Sequence, residues 1–424
     1  MGTGFGSRLR ALADYDVLAL TALIWFLAKF LRYAFPPLFP TFRDGFGVSN
    51  AALGLAFTAM MTVYAAMQFP SGALADRVGA RAVIVAGAAV AGAGALALAV
   101  PVPDSLALGV VGGGMLLVGL GTGAHKTVAV RLLSRLYPAR TGRALGVLDT
   151  LGAFGGVAAP AAVVAVTGAT AAGVPGVDWH ALFLVAALTV GGLSLSFLRR
   201  VPSPEAGDEA GSDRGAEDGD GDGTTDGGSA DDGDGLGRYL ALFRRPAFAG
   251  FVAVTVCFSF AYNGAVAFLP LYLTDAADLP ETTASLLYSG LFVVSLVQLV
   301  TGDLSDRVGR LPVVGATLAL SAGALVGLLA ASGVFAVGAA VVALGLGCHG
   351  FRPVRGAYLS ATIPDDAAGG GLGVVRTLLM GAGALAPAVV GRVADATGFG
   401  AAFGLLAGAM VAAVALTGVV ALVE

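Results

Sequence analysis

Residues 72–79 read Gly-Ala-Leu-Ala-Asp-Arg-Val-Gly, and residues 302–309 read Gly-Asp-Leu-Ser-Asp-Arg-Val-Gly. The offset is 230 residues, and the same offset carries Pro40 onto Pro270 and Gln68 onto Gln298. Further along, an offset of 227 carries Gly146, Asp149, Thr150 and Pro160 onto Gly373, Arg376, Thr377 and Pro387. One such coincidence is easy by chance, but a register kept over this distance is a duplication. The chain therefore reads as two parallel halves, the arrangement expected of repeats related by an axis along a membrane normal.

Composition agrees with a membrane setting. Of 424 residues, 57% are hydrophobic and only 12% charged, and mean hydropathy is +0.85. A soluble protein carries roughly a quarter charged residues, and a disordered chain is poor in apolar ones. Twelve apolar runs approach the ~20 residues needed to cross hydrocarbon: 16–38, 51–70, 82–101, 106–130, 144–166, 180–198, 247–273, 284–301, 312–331, 334–358, 370–391 and 400–422. Turn chemistry separates them, as at Pro101–Pro103 and Pro364–Asp365. The expected fold is an all-α membrane protein of twelve helices in two six-helix repeats.

Charge divides the chain further. Residues 201–237 hold 12 acidic residues and a single Arg, so this stretch is −11 while the whole chain is −4. The membrane body is thus basic. The expected organisation is an N-terminal bundle over 1–200, an acidic Gly/Asp-rich linker over 201–237 and a C-terminal bundle over 238–424. With both termini and the linker on one side, 16 basic residues fall there and two, Arg43 and Arg392, fall opposite. The excess of basic residues in cytoplasmic loops puts the termini and linker in the cytoplasm of a multi-pass cell-membrane protein. Residues 1–13 read as no cleavable signal, because Arg8 and Arg10 precede an apolar run too long for one. Cys257 and Cys348 show no disulfide spacing.

The Gly-x-Leu-x-Asp-Arg-x-Gly pattern after the second run, repeated after the eighth, resembles the signature loop of the major facilitator superfamily. The resemblance spans the chain apart from the acidic linker. One departure is visible: the family usually has two basic residues after the last glycine, whereas here they are Ala80–Arg81 and Arg310–Leu311. The resemblance implies secondary transport by alternating access, with helices 1, 4, 7 and 10 around a central cavity. It also implies a gating role for Gly72, Asp76, Arg77, Gly79, Gly302, Asp306, Arg307 and Gly309. On physical grounds Gly79 and Gly309 suit a turn with positive φ, Gly72 and Gly302 suit close helix approach, and the aspartates suit a rim ion pair. A solvated pair without a gating role is the plainer reading.

Six cations fall inside apolar runs: Lys29, Arg32, Lys126, Arg352, Arg355 and Arg376, against one acid, Asp149. Each charge at mid-bilayer costs about 2.5–3.5 kcal/mol on insertion scales. Six against one leaves an excess that a bound anion would offset. The candidate substrate-binding residues are therefore Lys29, Arg32, Tyr33, Lys126, Tyr262, Asn263, Arg352 and Arg376. Asp149, His125 and His349 are candidate proton carriers. Plainer readings stand beside these: Lys126, Arg352 and Arg355 snorkelling to water, Asp149 and Arg376 as a structural pair between the halves, the histidines as packing residues, and Gln68 and Gln298 bonding across the halves.

The expected partners are a small anionic solute, protons in the case of coupling, and the lipid bilayer, with no nucleic acid; a monomer is expected. Proton-coupled drug efflux is the alternative in the same superfamily, disfavoured by a cationic first helix and by a fifth helix lacking the Gly-Pro pair of such exporters. A receptor without transport would need an appended domain. No Walker A loop, metal-ligand spacing or Ser/His/Asp set is visible, so neither an enzyme nor a cofactor or metal is expected.

Overall fold

The computed structural model describes residues 15–175, 177–201, 243–362 and 368–423. Twelve of its helices are long and apolar enough to cross a membrane, and no strand occurs among the described residues. In chain order they are α1 (Asp16–Phe46), α2 (Asn50–Val78), α3 (Ala80–Leu98), α4 (Asp104–Gly123, resuming after Ala124 as His125–Leu136), α5 (Thr141–Ala171) and α6 (Trp179–Arg200). The second half has α7 (Pro246–Asp275), α8 (Glu281–Val293, then a 3-10 turn and Val297–Val308), α9 (Arg310–Ala330), α10 (Val334–Thr362), α11 (Ala368–Thr397) and α12 (Phe399–Val423). The proposed linker lies outside the described residues except for Val201, and so does the Pro364–Asp365 break.

Local chemistry sets the ends. The Ser49 hydroxyl accepts the Ala52 N–H at 3.1 Å and caps α2, and Asp178 accepts the His180 N–H at 2.9 Å at the start of α6. Single glycines with positive φ, Gly79 (+85°) and Gly309 (+97°), turn α2 into α3 and α8 into α9. Proline is tolerated within α1 (Pro36, Pro37, Pro40), α7 (Pro270) and α11 (Pro387).

Ala124 joins the two parts of α4 with helical dihedrals (φ −70°, ψ −24°), and together they form one apolar span, Ser105–Leu136, as the single run predicts. Ala124 follows a glycine row, and a β-carbon at Gly123 would sit 2.6 Å from the Tyr64 carbonyl of α2. Glycines in the matching stretch of α10 serve the same end, since a β-carbon at Gly347 would sit 2.6 Å from the Thr317 carbonyl of α9. In both halves, small residues let backbones approach directly above the site cations.

Within each half, α1 packs on α5 and α7 packs on α11, while α3 with α6 and α9 with α12 form the outer layers. The halves meet along α2–α11, α5–α8 and α1–α7. Call the end bearing residues 201 and 243 the linker end, and the other the far end. At the far end Arg43 pairs with Asp275, and the Asp395 carboxylate accepts the N–H groups of Asn50 (3.1 Å) and Ala51 (2.8 Å). Next along the seam, Thr58 accepts the Ala388 N–H at 3.0 Å. The last inter-half bond toward the linker end joins Arg376 to Gln68. Among the described residues no hydrogen bond or ion pair joins the halves beyond that level.

Candidate functional site

The first half builds its part of the site around Trp25, which is 3% exposed. Gly152 of α5 lies against the Cδ1–Nε1 edge of the indole, and any β-carbon there would overlap it. Three cations surround this one ring: Arg32 at 5.4 Å, Lys126 at 5.5 Å and Lys29 at 5.8 Å from its centroid. An aromatic face attracts a desolvated cation by roughly 2 kcal/mol or more, which helps hold charges that the bilayer disfavours. Arg32 also lies 4.0 Å above the Tyr64 ring and donates from Nε to the Ala28 carbonyl at 3.3 Å.

Lys126 pairs with Asp149 of α5. This corrects one alternative from the sequence: Asp149 does not pair with Arg376, which instead donates to Gln68 across the α2–α11 seam. The reason is reach. Lys126 stands just past the glycine row of α4, within the same half as Asp149, whereas the Arg376 guanidinium is taken up by Gln68. Of the two glutamines expected to bond across the halves, Gln68 does so, but Gln298 donates to the Ser295 carbonyl of its own helix at 3.0 Å.

In the second half, the Arg352 guanidinium lies 5.3 Å from the Tyr262 ring. Tyr262 and Phe292 both meet His349 edge-on, at 5.9 and 6.1 Å. Phe292 in turn contacts Tyr33 of the first half at 4.6 Å, which closes the ring of contacts across the molecular centre. Lys29 lies within Coulombic reach of Arg352, Arg32, Asp149 and Lys126. Arg355 rests on the Phe351 ring at 5.9 Å.

The structure thus gathers Lys29, Arg32, Tyr33, Lys126, Asp149, Tyr262, His349 and Arg352, with Arg376 at the edge. Asn263 packs toward α11. Its amide donates to the Ser259 carbonyl at 2.8 Å, and it faces Gly383 of α11 rather than the cations. His125 is held by the Thr21 carbonyl at 3.0 Å and stacks beside Trp25, a packing arrangement.

Among the described residues, Lys29, Arg352 and Arg355 have no hydrogen-bond or ion-pair partner, unlike the other three cations. Three buried polar atoms of this region are without a hydrogen-bond partner among the described residues: Trp25 Nε1, His125 Nδ1 and the Tyr288 hydroxyl. Buried polar groups are normally satisfied, which makes this centre the candidate ligand site.

The repeated loops differ from each other. Arg131 of α4 donates to Asp76 at 2.9 Å. The repeat register sets Ala357 opposite Arg131, and Asp306 is exposed with no ion pair among the described residues. Arg77 and Arg307 are exposed. A β-carbon at Gly72 would make only ordinary contact with Thr127, and at Gly302 would meet open space. The expectation that both glycines serve close helix approach is therefore corrected, because no backbone presses on either.

Sequence reasoning passed over the partners that complete the site: Gly152, Tyr64, Phe292, Tyr288 and the far-end pair. Arg43 and Asp275 did leave a signal, following the paired prolines Pro40 and Pro270 by three and five residues. The others leave none, since aromatic residues and glycines are common throughout.

The chain is similar in structure to several transporters. Against a bacterial homologue of the human lysosomal transporter Spinster, inward-facing and unoccupied, the TM-score is 0.73 at 16% identity, covering 97% of this chain and 96% of that one. Against the nucleoside transporter NupG it is 0.75 at 15% identity, covering 97% and 99%. Against a D-xylose–proton symporter it is 0.75 at 15% identity, covering 95% and 97%. No individually curated protein matches the sequence. The family profile described as Major Facilitator Superfamily matches residues 21–297 and 278–424. With that match extending over nearly all of both bundles, the chain belongs to the major facilitator superfamily.

Proposed function

We propose that the chain is a secondary active transporter that moves a small anionic solute by alternating access. The observation that carries this reading is the charge imbalance at the centre. Lys29, Arg32 and Lys126 stand around Trp25 and Arg352 stands beside Tyr262, with one carboxylate among them, Asp149, and that carboxylate is already engaged by Lys126. Uncompensated buried charge is costly, and an anion entering between the halves relieves it. Guanidinium groups suit the planar oxygens of a carboxylate or phosphate. A cationic drug would meet repulsion at the same place, so efflux of lipophilic cations is the weaker reading.

Family membership supports transport, and the solved relatives handle small solutes as their descriptions state, a nucleoside in one case and D-xylose with a proton in another. Coupling runs through Asp149 if protons drive the cycle, or through the cations themselves if one anion exchanges for another. The excess of arginines at the linker end supports a cytoplasmic linker and termini in a cell membrane. In that orientation, the seam described above belongs to an inward-facing state.

The test is uptake of an anion panel into proteoliposomes, with and without a pH gradient and in counterflow. Saturable anion flux that falls at least tenfold in Lys29→Ala and Arg32→Ala is the expected result. Flux of lipophilic cations that ignores both substitutions would overturn the proposal.

A further inference from the structure

Lys29 of α1 and Arg352 of α10 come from opposite halves, yet Arg352 is the leading charged neighbour of Lys29. Both are half-buried, as is Tyr33, whereas Trp25, Arg32, Tyr262 and His349 around them are buried. The two cations and Tyr33 therefore face open space at the molecular centre. The hydroxyls of Tyr33 and Tyr262 bond to each other beside Arg352. Two hydroxyls that share one bond leave one O–H proton free to donate. Like charges held this close in a low-dielectric setting repel, so the place is incomplete without a counter-charge.

The other charges nearby are settled by local partners. Asp149 lies within reach of both cations, but Lys126 holds its carboxylate, and that pair is neutral. Arg32 rests on the rings of Tyr64 and Trp25 and bonds to the Ala28 carbonyl. Lys29 and Arg352 have neither an ion pair nor a hydrogen bond among the described residues. Two unpaired positive charges thus meet at one place. A single carboxylate would leave half of that charge unbalanced, and a dicarboxylate would have to bring two heads to the same spot. Resting on the anion-transport reading above, we infer that the cargo presents one compact tetrahedral head with two negative charges, seated between Lys29 and Arg352. Phosphate, its monoesters and sulfate have this chemistry. A phosphate head carries about −1.5 to −2 charges and three acceptor oxygens. The Lys29 ammonium, the Arg352 fork and the free tyrosine proton supply donors for those oxygens. Such a head joins the halves, because each half provides one of its two cations.

The test is calorimetric titration of detergent-solubilised full-length protein at neutral pH. Inorganic phosphate, methyl phosphate and sulfate are compared with acetate, nitrate and succinate. At least one of the tetrahedral dianions should bind at least tenfold more tightly than acetate, nitrate and succinate, and their order separates a free ion from an ester head. Lys29→Gln and Arg352→Gln should each erase most of that preference, whereas Lys29→Arg, which keeps the charge, should retain part of it. Monodispersity and a cooperative thermal transition show that each variant is folded, and the panel on the unsubstituted protein stands without them. Acetate, nitrate or succinate bound as tightly as the best tetrahedral dianion would overturn the compact head and leave anion transport standing. So would a preference that survives both glutamine substitutions, or no binding of any tetrahedral dianion while proteoliposomes take up another anion. If none of the six binds and no anion is taken up, both readings fall together.

Discussion

Arg43 of α1 grips Asp275 of α7 through both guanidinium nitrogens, and this pair bridges the two halves at the far end of the molecule. Both side chains remain about one-quarter exposed, so the pair is worth about 0–1 kcal/mol rather than the value of a buried bridge. That is still enough to shift a balanced two-state equilibrium several-fold. Arg43→Ala and Asp275→Asn should both raise the population open at the far end. Distance measurements between spin labels placed on α1 and α7 near that end check this. The Arg43→Asp, Asp275→Arg double swap should return the distribution toward that of the parent.

Gly152 should be intolerant of growth. Gly152→Ala drives a methyl into the Trp25 indole, and overpacking of this kind costs about 1–3 kcal/mol. Thermal unfolding in detergent should show a lower midpoint. Pairing it with Trp25→Phe, which shortens the opposing ring, should make the double variant less destabilised than the sum of the singles. Additive losses would mean that the two residues do not share the space described.

Asp149→Asn separates the two coupling schemes. The change removes the carboxylate from Lys126 and adds one unbalanced positive charge to the centre. If Asp149 carries the proton, pH-gradient-driven uptake should drop at least tenfold while counterflow exchange persists. If exchange is the native mode, both activities should change together.

The two signature loops should not respond alike to the same substitution. Asp76→Asn breaks an ion pair with Arg131, with a loss of up to about 1 kcal/mol in unfolding experiments. Asp306→Asn breaks none among the described residues and should leave the unfolding midpoint unchanged. A larger loss for Asp306→Asn would contradict the asymmetry seen here.

Much of this architecture is legible from residue order. Twelve apolar stretches and the duplicated octapeptide suffice for the helix count and the pairing of halves, because hydrocarbon thickness and backbone hydrogen bonding leave few alternatives. Lys29, Arg32, Lys126 and Arg352 stood out because ionised groups rarely occur at that depth. What sequence does not show is which partner each charge takes. Asp149 lies 23 residues from Lys126 and 227 from Arg376, and only the packing of the folded helices decides between them. The repeat register aligns Asn263 with Tyr33, yet its amide bonds to the Ser259 carbonyl of its own helix and packs beside Gly383 of α11. Far-end contacts such as Asp395 with the start of α2 are mutual consequences of folding, with no local signature.

The contacts that hold the halves together run from Asp395 down to Arg376 and no further among the described residues. A consequence concerns sidedness. In right-side-out and inside-out vesicles, a bulky amine-reactive reagent that cannot cross lipid should modify Lys29 only when supplied from the compartment facing the linker. Cargo present during labelling should shield that lysine, and reagent on the other face should find it only after the Arg43 clasp has let go.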